Sequence, residues 1–151
     1  HIAGELLKGF RNARALGAGT GQALSPELAN RLQGALPAIP LPSFTALGTA
    51  WANDCDPDYV YAQLTWGLGR TGDALLGIST SGNAGNVCHA AEAARGRGMR
   101  VIGLTGASGG RLAELCGVCI RVPEQETYRV QELHLPVYHA LSLALEEAFW
   151  G

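Results

Sequence analysis

The sequence predicts an α/β fold in three layers, a parallel sheet with helices on both faces, and three observations lead there. Four short apolar runs are bounded by turn residues: Leu36–Leu41, Ala74–Ile78, Val101–Leu104 and Val118–Val122. Longer segments with helical spacing lie between them. The runs stay apolar along their whole length, and only a strand covered on both faces can drop the polar alternation of a half-exposed one.

Taken in order, His1–Phe10 reads as the middle of a helix with no capping residue before it, so the expectation is that the protein continues upstream. Arg11–Leu24 contains Gly17-Ala-Gly-Thr-Gly21 and reads as a loop or insertion. It lacks the Gly-Lys-Ser/Thr of a Walker phosphate loop. Helical spacing then covers Ser25–Gly34, Phe44–Asn53, Asp58–Gly67, Asn83–Gly96 and Gly110–Cys116, and a long final helix is expected over Glu126–Trp150. Gly67-Leu-Gly-Arg-Thr-Gly72 matches the dinucleotide fingerprint letter for letter, but a helix precedes it and a strand follows, the reverse of what that fingerprint requires.

The chain has 151 residues, enough for one ordinary domain. Hydrophobic residues make up 47% and charged residues 16%, which excludes intrinsic disorder. The net charge is -2, and no basic run is present that would track a nucleic-acid backbone. No apolar stretch approaches the roughly 18–20 residues of a membrane span, and no signal-peptide pattern is present. Cys116 and Cys119 form the one CxxC pair, without a second pair to complete a zinc site, and Cys119 alternates with apolar neighbours as a buried strand residue would. These features read as a soluble cytoplasmic protein with free thiols and with neither nucleic acid nor membrane as partner.

The chemistry concentrates in Gly77-Ile-Ser-Thr-Ser-Gly-Asn83, where a strand ends and a helix begins. Ser79, Thr80 and Ser81 bring three hydroxyls to the unpaired N–H groups of a helix start, an arrangement that receives anions. An ordinary helix cap uses one hydroxyl and leaves the others unexplained. With no Lys or Arg, the cradle suits the phosphate of a small sugar better than a triphosphate with its metal.

GISTSGN, then VIGLTG followed by GG, then IRVP and a helix opening RVQELH together resemble the sugar isomerase (SIS) domain family, over nearly the whole chain except the Gly-rich segment. The resemblance implies a single SIS domain over residues 1–151 with a flavodoxin-like sheet. It implies an aldose–ketose isomerase, most closely one acting on sedoheptulose 7-phosphate, and a homo-oligomer, specifically a tetramer. It places Glu5 and His139 as catalytic residues and Asp54, Ser79, Thr80, Ser81 and Gln131 at the substrate. It also implies a divalent metal, zinc being favoured, held by His1, Glu5, Gln131 and His139. The family's first phosphate loop, Gly-Asn-Gly-Gly-Ser before the His-x-x-x-Glu helix, is absent from this chain. Ala84 stands where these isomerases usually have a further serine, and Tyr128 where some have a sugar-contacting Asp.

On spacing alone His1 and Glu5, four apart, share a helix face, an arrangement that also fits a solvated surface pair. Gln131 and His139 are about 12 Å apart along a helix and roughly 80° off a common line. Periodicity favours His134 instead, while Pro136 is expected to bend the helix between them. The resemblance selects His139 and leaves His134 and His89 as structural or packing histidines. Aldose–ketose interconversion needs a base, which Glu5 would supply, and an acid titrating near neutrality, which His139 would supply. A non-catalytic SIS protein similar to the regulators that associate with the DnaA initiator, or a sugar-phosphate sensor, would keep the cradle without the isomerase pair.

Overall fold

The computed structural model describes residues 1–17 and 24–151. Among them the helices are α1 (Ile2–Leu7), α2 (Pro26–Ala29), α3 (Thr45–Asp54), α4 (Val60–Leu68), α5 (Gly85–Gly96), α6 (Gly110–Leu115) and α7 (Thr127–Trp150). The strands are β1 (Ala74–Ser79), β2 (Arg100–Thr105) and β3 (Val118–Arg121). No described helix is long and apolar enough to cross a membrane. The chain divides into two compact units, one of His1–Pro40 with Leu135–Gly151, the other of Leu41–His134.

The second unit carries the parallel sheet, in the order β1-β2-β3. Leu75, Gly77 and Ser79 stand opposite Val101, Gly103 and Thr105 on one face, and Cys119 stands opposite Gly103. That face is closed by α5 and α6, through a core of Cys88, Ala91, Ala94, Val101 and Leu112. Close packing depends on small residues at the centre. A methyl at Gly103 would lie 2.7 Å from Cys116 Sγ and 3.1 Å from Cys119 Sγ, and one at Gly77 would lie 3.1 Å from Val87. Leu112, fully buried above these glycines, contributes on the order of 2 kcal/mol by leaving water. The opposite face is only partly covered, with Ile78 43% and Val118 60% exposed. The α/β class with a parallel sheet is as the sequence predicts.

Two expected elements are replaced. Leu36–Leu41 forms no strand; the chain passes into a short 3-10 turn at Leu41–Ser43. Pro37 and Pro40 remove two N–H donors from this stretch, so a ladder has no continuous partner there. Ser25–Gly34 shortens to one helical turn, capped where Ser25 Oγ accepts from the Leu28 N–H. The fingerprint decoy lies at the end of α4 and in the turn before β1, where Gly72 has φ +93°. The Arg11–Leu24 insertion has its centre, residues 18–23, outside the described residues, with most of the Gly17–Gly21 run. Pro136 sits inside α7 without ending it.

In the first unit the central contact is polar. Glu146, on the last turns of α7, is buried with its carboxylate accepting from the backbone N–H groups of Phe10, Arg11 and Asn12 at 2.8–3.0 Å. Arg14, equally buried, donates to the same carboxylate at 2.8 Å and also to the carbonyls of Leu6 and Glu5. Its guanidinium lies over the Trp150 ring. Burial alone would raise the Glu146 carboxyl, but the backbone donors and Arg14 outweigh it and hold it at about 2, against an ordinary 4.5.

A carboxyl depressed by folding contributes stability that is complete above its ordinary value and is lost as pH falls toward its folded value. Urea unfolding followed between neutrality and pH 2 is therefore expected to show stability falling from about pH 4.5 downward. Glu146→Gln lacks this component of the fall and is less stable at neutral pH, because Arg14 is left buried beside a neutral partner. An identical pH profile for both proteins would contradict the assignment.

Candidate functional site

At the carboxyl ends of the strands in the second unit, the loops after β1 and β2 are stitched together. Leu112 N–H donates to the Gly82 carbonyl at 2.9 Å, Gly106 N–H to Thr80, and Arg111 N–H to Asn83 Oδ1. Gly82, with φ +70°, lies so near Gly109 that a Cβ there would run into the Gly109 carbonyl. Glycine is required on both counts.

The hydroxyls act differently from expectation. Ser79 Oγ accepts from the Gly82 N–H and Ser81 Oγ from the Asn83 N–H, each at 3.1 Å, so both brace the turn itself. The helix starts two residues beyond Asn83, at Gly85. Its N-cap is Ala84, and no side chain caps it. The plain capping alternative is thereby excluded for these serines, and the start of α5 keeps N–H groups that no side chain covers. Thr80 is half-buried and Asp54, the last residue of α3, is exposed.

In the first unit α1 and α7 bring three of the expected residues together. His1 Nε2 stands 3.3 Å from Glu5 Oε1, the i,i+4 contact that the spacing allows. His139 meets His1 edge-on at 5.5 Å between ring centres and packs on Phe10 at 5.4 Å. Lys8 Nζ donates to Glu5 Oε2 at 3.1 Å. The Glu5 side chain is 13% exposed and that of His1 57%. Gln131 is exposed on the opening turns of α7, in the second unit. His134 is buried, and its Nε2 has no partner among the described residues. His89 stacks on Tyr59 at 4.2 Å and 5°, with Nδ1 3.3 Å from the Asp58 carbonyl, a packing role.

One contact was not foreseen. The Tyr138 hydroxyl lies 2.6 Å from His1 Nδ1. No local pattern joins residues 1 and 138, and adjacency to His139 is the one signal that singles the tyrosine out.

The zinc implied by the resemblance finds a poor donor set. His1 Nδ1 is engaged by Tyr138, Nε2 faces Glu5, and no group of three His, Cys, Asp or Glu side chains suited to a metal exists among the described residues. Two facing donors do not make a tetrahedral zinc site. The cysteines supply none either. All four are free thiols, and burial pushes Cys116 up to about 11, with Cys119 and Cys88 adding to the shift. A thiol held protonated is a poor nucleophile and a poor ligand.

The second unit is therefore an open parallel α/β arrangement whose loops at the carboxyl ends of the strands are tied to one another. Residues 6–106 match the SIS domain family. The chain is 44% identical over 130 residues to the phosphoheptose isomerase of Rhodospirillum rubrum, covering 84% of this chain and 69% of that protein. It is 40% identical over 149 residues to that of Nitratiruptor sp., covering 99% of this chain and 70% of the relative. The structure of phosphoheptose isomerase GmhA from Neisseria gonorrhoeae superposes with a TM-score of 0.70 at 43% identity, over 72% of this chain and 62% of that one. A phosphoheptose isomerase from Francisella tularensis gives 0.71 at 36%, over 74% and 62%. The chain belongs to the SIS domain family, and it spans between about three-fifths and seven-tenths of the length of these relatives.

Proposed function

We propose that the protein is an aldose–ketose isomerase of sugar phosphates and that its substrate is sedoheptulose 7-phosphate. The observation that carries the reading is the convergence of His1, Glu5 and His139, residues at opposite ends of the sequence, in one compact unit. Relatives named phosphoheptose isomerase at 40–44% identity support the substrate.

The reaction moves a proton from C1 to C2 of the ketose. Glu5 takes the C1 proton while the C2 carbonyl oxygen is protonated, which gives an enediol. The O1 proton then leaves and a proton is delivered to C2, so that C1 becomes the aldehyde. A carboxylate that is mostly shielded from water suits the base, and an imidazole suits the acid because it exchanges protons near neutrality. His139 takes that role in the proposal. The loop of Ser79, Thr80 and Ser81, with the uncapped start of α5, takes the phosphate, and Asp54 and Gln131 take sugar hydroxyls. The metal expected with these residues has two facing donors, His1 and Glu5, and the proton steps above use the chain's own side chains.

The two halves of the proposal rest on separate units and are tested separately. Replacing Ser79 and Ser81 together by Ala should weaken sugar-phosphate binding at least about tenfold, about 1.4 kcal/mol, as measured by calorimetry. Unchanged affinity would remove this loop from the site. Glu5→Gln keeps shape and removes the base, so turnover should fall about a hundredfold to ten-thousandfold while binding survives, with and without added zinc. A variant that binds and turns over normally would show that Glu5 is not the base.

A homo-oligomer, proposed as a tetramer, is supported by the apolar side chains exposed on α7, Leu135, Leu143, Leu145 and Phe149. Light scattering on the full-length protein at micromolar concentration should give a multiple of the protomer mass; a monomer contradicts the proposal.

A further inference from the structure

We propose that Arg121 supplies the positive charge of the phosphate site, its guanidinium seated on Gly109 beside the turn of residues 79–82. The inference rests on the sugar-phosphate reading for the sugar, and on geometry within the second unit for the anion.

Residues 77–83 include no Lys or Arg, so on their own the three hydroxyls would meet a phosphate with no opposing charge. The fold brings a cation in from another strand. Arg121 is the last residue of β3 and stands opposite Thr105, which stands opposite Ser79, so the three strands end in register. Residues paired in this way share a face, and neighbouring strands lie about 4.8 Å apart. Arg121 is thus two strands from Ser79 on the face that α5 and α6 close.

Gly109 stands between them. It is buried, and a Cβ there would lie 2.6 Å from Arg121 Nε and 2.8 Å from Cζ, so the guanidinium occupies the place of a side chain. The Gly109 carbonyl in turn occupies the place of a side chain on Gly82. One glycine therefore has the arginine against one side and the serine turn against another.

This cation is uncommitted. Arg111 on α6 pairs with Glu92, and Arg129 on α7 faces Glu124 at 3.8 Å. The Arg121 guanidinium has no ion pair and no hydrogen bond among the described residues. A guanidinium is a planar fork that fits two phosphate oxygens, and its charge-assisted bonds are roughly twice as strong as neutral ones. Ser79 and Ser81 spend acceptor capacity on the turn and keep their O–H groups to donate. Arg121 adds the charge that they lack. An arginine that only shielded a buried glycine would need its bulk and not its charge.

The test compares Arg121→Gln and Arg121→Lys with the wild type in the full-length protein, titrated with sedoheptulose 7-phosphate and, separately, with inorganic phosphate followed by ³¹P NMR. Arg121→Gln is expected to weaken both ligands about tenfold with the thermal midpoint unchanged, and to flatten the loss of affinity with rising salt. Arg121→Lys keeps the charge and restores most of the affinity. Unchanged affinity in the glutamine variant overturns the proposal, and so does wild-type protein that binds neither ligand. A lysine variant as weak as the glutamine one also overturns it, because charge would then not be what the site uses. Inorganic phosphate involves neither sugar nor turnover. An Arg121-dependent phosphate site in a protein that leaves the ketose unchanged would therefore uphold this inference and remove the isomerase reading.

Discussion

The carboxylate of Glu146 is the constraint on which the first unit depends. It lies inside the protein with four donors around it, three from the backbone of Phe10–Asn12 and one from Arg14. Arg14 also donates from its two terminal nitrogens to the carbonyls of Leu6 and Glu5, the last turn of α1. One ion pair thus fixes the end of α1, the turn that follows and the end of α7. Removing either partner strands the other as an uncompensated buried charge, which is far more costly than the pair is beneficial. Glu5 reaches its place because the backbone carbonyl of that same residue is anchored here.

The second unit is organised by absence of side chains. Gly77 and Gly103 face each other across β1 and β2, and the space they leave is filled by Val87, Leu112 and the sulfurs of Cys116 and Cys119. At the strand ends Gly82 and Gly109 bring two loops into backbone contact, and Ser79 and Ser81 tie the first loop to itself. A loop braced in this way has its backbone fixed by its own side chains, and a loop ordered in advance has less conformational freedom to lose.

Much of this was legible in the sequence, for reasons that can be named. Ala74–Ser79 and Arg100–Thr105 are apolar along nearly their whole length and end in glycine and hydroxyl residues, so strand and loop were both marked. His1 and Glu5 announce themselves by spacing. Leu36–Leu41 misled because its apolar content resembles a strand while its prolines forbid the ladder. The serines stand at the end of β1 and in the loop after it, but which N–H each meets depends on where α5 begins, a matter of one turn that propensity does not fix. Glu146 and Arg14 were invisible for a different reason. A charged residue in an amphipathic helix reads as solvated, and nothing local shows that a carboxylate near residue 146 will meet a turn near residue 11. The Tyr138 contact is hidden in the same way, since only tertiary structure joins positions 1 and 138.

The central claim is that this cluster moves a proton at carbon. Its most direct test is to incubate the full-length protein with sedoheptulose 7-phosphate in deuterium oxide and follow the C1 protons by NMR. The account predicts loss of one C1 proton signal, with one face of C1 selected, at a rate no slower than net aldose formation. Protein that binds the ketose phosphate yet leaves both C1 protons in place would contradict it, and the chain would then be a sugar-phosphate sensor.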